Sequence, residues 1–140
     1  MAYRFIEHTA DMGVEIEATS FESLLSEGLL ALTDTLTEVG EVRAEVERQV
    51  ELMAPSREDL LVDWLNELVY LFETESVLFR FGELGVEEES GGWRLRGTLR
   101  GERYDPDRHR IKRLIKAVTY HQLRVSSSSR GWQARVIFDI

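Results

Sequence analysis

The sequence predicts an α+β fold in a single domain, residues 1–140, in which a mostly antiparallel sheet packs with two amphipathic helices. Three observations lead there. Two segments carry apolar residues at helical spacing, many short segments alternate apolar and polar residues with a period of two, and turn residues punctuate the alternating segments. Helices that must bury a stripe and also cover that many strands lie on one face of a sheet.

The elements follow in order. Tyr3 to Glu7 and Met12 to Ala18 read as strands, the second alternating Val14, Ile16 and Ala18 against Glu15 and Glu17, with a turn at Thr9 to Asp11 between them. Thr19-Ser20-Phe21-Glu22 offers a capping box, and Phe21, Leu24, Leu25, Gly28, Leu29 and Leu32 then keep helical spacing in a helix ending near Gly40. From Val42 to Ala54 the even positions are apolar apart from Arg48, which is strand spacing, and Pro55 closes that strand. Ser56 with Asp59 caps a second helix, whose stripe is Leu60, Leu61, Trp64, Leu65, Leu68, Leu71 and Phe72. Val77 to Phe81, Gly85 to Glu89, Trp93 to Gly101, Lys116 to Ser126 and Trp132 to Asp139 read as further strands. Their turn signals fall at Gly82, Ser90-Gly91-Gly92, Asp105-Pro106-Asp107 and Ser129-Arg130-Gly131.

Composition excludes several classes. With 43% hydrophobic and 31% charged residues the balance is that of a globular protein. No run approaches the roughly 18 apolar residues that cross a bilayer, and Met1-Ala2-Tyr3-Arg4 lacks the apolar stretch of a signal peptide, so a cytoplasmic location is expected. Zero cysteines rules out disulfides, thiolate nucleophiles and cysteine-based zinc sites. The sequence also lacks a glycine-rich phosphate loop, a nucleophile elbow and a zincin helix.

The net charge of −9 conceals an asymmetry. Residues 1–90 carry 5 basic and 22 acidic side chains, whereas residues 91–140 carry 12 and 4. The basic residues concentrate between Arg94 and Lys116. Such a division suits a surface that meets a polyanion or an acidic protein patch, and it equally suits a fold whose acidic and basic faces pair internally.

Candidate site residues lie at both extremities and in one central segment. With native termini, Asp139 adjoins the α-carboxylate of Ile140, and three carboxylates meet if the fold brings Asp11 to them. An oxygen-only cluster suits calcium, magnesium or manganese rather than zinc. Each residue also has a plain reading: Asp11 as a turn residue bonded to nearby amides, Asp139 as a solvated strand end projecting away from the face of Phe138. The segment from Gly101 to His121 is densest in reactive groups. Lys116 is a candidate point charge toward phosphate or carboxylate, and His109 and His121 are candidate ligands or proton carriers that read equally well as hydrogen-bonded or exposed histidines.

These blocks resemble the archease family over the whole chain: His8-Thr9-Ala10-Asp11, then Gly101-Glu102 with Asp105 and His109, then Lys116 to His121, and finally Gly131 to Ile140. The resemblance implies a protein cofactor rather than an enzyme. Its implied partner is the GTP-dependent tRNA-splicing RNA ligase, which it helps to become guanylylated and to turn over repeatedly, with tRNA involved indirectly. It further implies a divalent metal ion, calcium or else magnesium or manganese, held by Asp11, Asp139 and Ile140. It ties Lys116 to activity and leaves His8, His109 and His121 as accompanying partner or activity residues. Two alternatives stand beside it. One is an RNA-binding chaperone module for tRNA modification enzymes that contacts RNA through residues 94–116; the other is a metal-dependent phosphoesterase.

Overall fold

Serine hydroxyls start both helices. In the computed structural model, which describes residues 2–7 and 11–140, Ser20 heads α1 (Phe21–Leu36) and its Oγ accepts from the Ser23 amide at 3.1 Å. Ser23, not Glu22, therefore takes the reciprocal place in the cap. Ser56 heads α2 (Arg57–Glu75), accepts from the Asp59 amide at 3.1 Å and donates to Asp59 Oδ2 at 2.8 Å. The first helix stops at Leu36, short of Gly40, because Thr37 turns extended and its Oγ1 donates to the Arg110 carbonyl at 2.7 Å. A 3-10 turn at Val39–Glu41 carries the chain onward.

The strands divide into two antiparallel sheets rather than one. β1 (Ala2–Glu7), β2 (Asp11–Ala18), β6 (Ala117–Ser128) and β7 (Gly131–Asp139) form the first, in the order β1-β2-β7-β6; β3 (Val46–Ala54), β4 (Val77–Glu89) and β5 (Gly92–Arg103) form the second, in the order β3-β5-β4. In place of the turn expected at Gly82 the chain runs on as one continuous strand: β4 stays paired to β5 from Val77↔Arg103 to Glu89↔Gly92, Gly82 faces Leu99, and a register shift falls earlier, between Phe79 and Phe81. Arg80, freed by that shift, donates to the Gly40 and Val42 carbonyls at 3.1 and 3.4 Å. The even-numbered face of β3 is the more buried one, as its spacing predicts.

One buried cluster joins both sheets and both helices. Val14, Ile16, Val136 and Phe138 from the first sheet meet Leu24, Leu25 and Leu29 of α1, Leu60, Leu61, Trp64 and Leu65 of α2, and Leu95 and Leu99 of the second sheet. Polar atoms inside it are paired. Trp64 Nε1 donates to the Leu25 carbonyl at 2.9 Å, and Thr33 Oγ1 to the Phe79 carbonyl at 2.6 Å. At the head of α2 the Arg57 guanidinium lies 3.9 Å from the Trp93 ring centroid and 4.8 Å from that of Trp132, tying an end of each sheet to the helix. Among the described residues, no helix is long and apolar enough to cross a membrane.

Asn66 on α2 fixes strand β6 by acting as a surrogate strand. Its Oδ1 accepts from the Val118 amide at 2.8 Å and its Nδ2 donates to the Val118 carbonyl at 3.0 Å. Asn66→Ala removes both partners from a buried residue, and we expect a loss of about 2 kcal/mol. Urea unfolding measures it; a midpoint equal to that of the unchanged protein would refute the clamp.

Candidate functional site

Alternation along β2 and β7 decides which side chains share a surface. The even residues Met12, Val14, Ile16 and Ala18 point into the core, so the odd residues project from the opposite face of the sheet. The register pairs Asp11 with Asp139 directly, Gly13 with Ile137, and Glu15 with Arg135. Residues from opposite ends of the chain are thereby cross-strand neighbours with Cβ atoms about 5 Å apart. Two carboxylates so placed repel, and Asp11 Oδ1 is buried without a hydrogen-bond partner among the described residues. An orphaned carboxylate oxygen beside a second carboxylate is a donor set that fits a hard cation. Among the described residues, no group of three or more His, Cys, Asp and Glu side chains converges to hold a metal ion. The pair therefore needs further oxygen, and Ile140 follows Asp139 directly. Gly13 keeps the floor of the site low: a Cβ there would sit 3.2 Å from the Ile6 carbonyl and 3.4 Å from Ile137 Cδ1.

Lys116 arrives at this corner by main-chain bonding. Its amide donates to the Asp139 carbonyl at 2.8 Å, and the next residue, Ala117, pairs with Asp139 in the β6–β7 ladder. The Lys116 side chain is exposed, as the first strand residue of β6 is still one position ahead. Beside it a groove of about 670 Å³ runs between Phe72, Leu114, Ile115, Lys116 and Ile140.

The Gly101-Glu102…His109 segment builds the support for this delivery. Glu102, buried on β5, accepts from the Arg43 amide, from Arg108 Nε and Nη2, and from His109 Nε2, all at 3.0 Å. The Asp105 amide donates to His109 Nδ1 at 2.9 Å, which assigns the imidazole proton to Nε2 and leaves neither nitrogen for a ligand. The Glu102 carboxyl is pulled down to about 2, chiefly by Arg108 against the opposing effect of burial, with the Arg43 amide and His109 adding to the fall. Gly101 is required beside it, since a Cβ would collide with the Leu78 carbonyl and lie 2.7 Å from Phe79 Cα. Successive main-chain bonds then hold the irregular loop: Tyr104 to Ser76, His109 to Asp105 and Lys112 to Leu36, before Lys116 reaches Asp139.

The remaining candidates fall elsewhere. His121 is exposed where β6 departs from regular pairing, between Thr119 and Arg124. His8 lies outside the described residues, as do Thr9 and Ala10 of the turn expected at Thr9 to Asp11, whereas Asp11 itself opens β2 as a strand residue. Of the basic segment, Arg94 pairs with Glu51 and Glu89, Arg96 with Glu51, Arg100 with Glu47 and Glu83, and Arg108 with Glu102. Much of the charge asymmetry is thus satisfied inside the second sheet.

Comparison with known proteins gives concordant matches. The Archease protein family (MTH1598/TM1083) matches residues 3–140. Protein archease of Methanosarcina mazei is 39% identical over 139 residues, spanning 99% of this chain and 95% of that one. Protein archease of Methanopyrus kandleri is 38% identical over 140 residues, with each chain fully covered. The solution structure of Methanobacterium thermoautotrophicum protein 1598 superposes with a TM-score of 0.84 at 31% identity, over 99% of this chain and 98% of that one.

The Glu102 network has a pH signature. Its native carboxyl titrates below the ordinary value of 4.5, so its contribution to stability is complete above that value and fades as the pH falls toward about 2. Glu102→Gln should cost about 3 kcal/mol near neutrality, because the charge that faces Arg108 is lost and one of the two acceptor oxygens becomes an NH2 among four N–H donors. Denaturant unfolding of both proteins should show that gap narrowing between pH 4.5 and 2. A gap independent of pH would refute the assignment.

Proposed function

The chain belongs to the archease family, and from that premise we propose that it is a metal-binding protein cofactor rather than a free-standing enzyme. It activates a GTP-dependent tRNA-splicing RNA ligase, promoting the ligase's guanylylation and its multiple turnover in tRNA processing. The observation that supports this most is the Asp11–Asp139 register pair with its orphaned oxygen. Two opposed carboxylates, with no ion pair to either among the described residues, add nothing to the stability of the fold by themselves.

Asp11 and Asp139, with the main-chain or carboxylate oxygen of Ile140, would hold the ion, calcium or else magnesium or manganese. Bound there, the ion supplies concentrated positive charge at one corner of the sheet. The protein's own residues do the rest. The β2–β7 register holds the two carboxylates together, and the loop anchored by Glu102 presents Lys116 beside them. An exposed ammonium in that place can meet a triphosphate or a carboxylate in the ligase's nucleotide site. The apolar groove along Phe72, Leu114 and Ile140 gives a partner protein something to bury against. Direct RNA contact along residues 94–116 is the weaker reading, because Arg94, Arg96 and Arg100 already have carboxylate partners.

Two measurements separate the roles. Calorimetric titration with calcium, magnesium or manganese should lose its signal in Asp11→Asn and Asp139→Asn and keep it in Lys116→Ala. In multiple-turnover ligation all three variants should stimulate the ligase less, by about tenfold or more, since even groups behind metal ligands typically cost 10- to 100-fold. Undiminished stimulation by all three folded variants would end the proposal.

A further inference from the structure

The outward face of the first sheet carries a second conflict of charge, opposite in sign to the first. One rung runs across all four strands: Arg4 pairs with Glu15, Glu15 with Arg135, and Arg135 with Arg124. Glu15 is engaged by Arg4, whose Nε donates to it at 2.9 Å. That leaves Arg124 and Arg135 directly opposed, and like charges opposed across a ladder are destabilising. Neither forms a direct ion pair among the described residues, although Glu15 attracts both across the rung while its hydrogen bonds go to Arg4. Arg135 Nη2 donates to Gln122 Oε1 at 3.0 Å, while its Nε is buried without a partner.

The irregularity of β6 creates this opposition. Thr119 faces Ile137, so regular pairing would continue with His121 facing Arg135; the bulge between Thr119 and Arg124 instead brings Arg124 there. Gln122, at the centre of the bulge, adopts φ 54, a left-handed conformation unusual for a residue with a side chain. Its amide oxygen holds the Arg135 guanidinium. Backbone strain is thus spent on placing two guanidinium groups side by side, an arrangement that raises local repulsion instead of lowering it.

Between them lies a polar cavity of about 210 Å³, lined by Glu15, Glu17, Arg124, Ser126, Gln133 and Arg135. Ser126 and Gln133 are partners on the next rung and add donors of their own. With Arg4 included, three guanidiniums face the two carboxylates of Glu15 and Glu17 on this patch. The geometry points to a binding site for a phosphate group between Arg124 and Arg135, with Arg135 Nε and the Ser126 hydroxyl as donors. Planar guanidiniums suit such an oxyanion because they donate in parallel pairs, and an anion between the two removes their mutual repulsion. The site is separate from the carboxylate corner: Arg135 lies four residues from Asp139 on β7, roughly 13 Å away along the same face. The phosphate is either free or part of a polynucleotide backbone, and the two sources share this chemistry.

The test is performed on metal-free protein with chelator present, so that phosphate cannot bind through a cation at Asp11 and Asp139. Arginine Nε–Hε resonances are followed by nitrogen-edited NMR during titration with sodium phosphate, against sodium chloride at matched ionic strength, and in a second arm with a short single-stranded oligoribonucleotide. A saturable shift of Arg135 is expected in at least one arm; saturation by the oligonucleotide alone identifies a backbone phosphate as the source. Arg124→Gln and Arg135→Gln should each weaken the binding by about tenfold or more. In chloride at low ionic strength Arg124→Gln should unfold no earlier than the unchanged protein, having lost a repulsion, and the phosphate-specific rise in Tm should vanish from it. The absence of saturation in both arms overturns the proposal, as does saturation undiminished in Arg124→Gln.

Discussion

The antiparallel register of β2 on β7 is the constraint from which the rest follows. Running from Asp11↔Asp139 to Ala18↔Trp132, it assigns Met12, Val14, Ile16, Val136 and Phe138 to the core in one stroke. The same step sends Asp11, Glu15, Arg135 and Asp139 to the other face. Side chains alternate with a period of two, so a slip of one residue would bury the charges and expose the core. The site geometry is therefore as strongly specified as the hydrophobic interior, although none of the site residues contributes to that interior.

Holding β6 in place is a different kind of problem, because it is an edge strand with β7 on one side only. Three side chains from distant elements provide the answer. Asn66 bonds both main-chain groups of Val118, Thr37 donates to the Arg110 carbonyl of the loop, and Glu102 gathers Arg43, Arg108 and His109. A loop of that length without regular structure would ordinarily be mobile. Here its main chain is bonded at Tyr104, Lys112 and Lys116 to three separate elements, and the position of Lys116 beside Asp139 inherits their rigidity.

How far the sequence reveals this depends on whether a feature is local. Ser20 and Ser56 announce the helices because a cap needs only three residues, and the even spacing from Val42 to Ala54 shows which face of β3 turns inward. Alternation also places Asp139 on an outward position of its strand, but Asp11 reads as a turn residue, and its place as the first residue of β2 comes only from its pairing with Asp139. It does not name a strand's neighbour, so seven strands that look fit for one sheet divide into two. Gly82 reads as a turn because glycine inside an alternating segment is a common turn signal, whereas here it pairs with Leu99 in mid-strand. The end of α1 depends on Thr37 reaching Arg110, and Asn66 looks like any polar helix residue until Val118 is set against it. His109 and Glu102 stand out as reactive groups in the sequence, whereas their coordinates show groups spent on one another. The opposition of Arg124 and Arg135 is invisible without the bulge that shifts the register.

The two sheets treat charge differently, although the first also sets Arg4 against Glu15, and the contrast is informative. Across β3, β5 and β4 opposite charges meet: Arg94 with Glu51 and Glu89, Arg100 with Glu47 and Glu83. Each exposed pair contributes little, about 0 to 1 kcal/mol, but every choice agrees with the fold. On the outward face of the first sheet like meets like twice, carboxylate with carboxylate at Asp11 and Asp139, guanidinium with guanidinium at Arg124 and Arg135. A sequence consistent at every other level departs from consistency where something outside the chain completes the interaction. Exchanging Arg124 for a carboxylate would have matched Arg135 at no cost to the core, since Arg124 is exposed. The rule observed in one sheet and broken at two rungs of the other is the physical ground on which a cation is proposed at the first rung and an anion at the second.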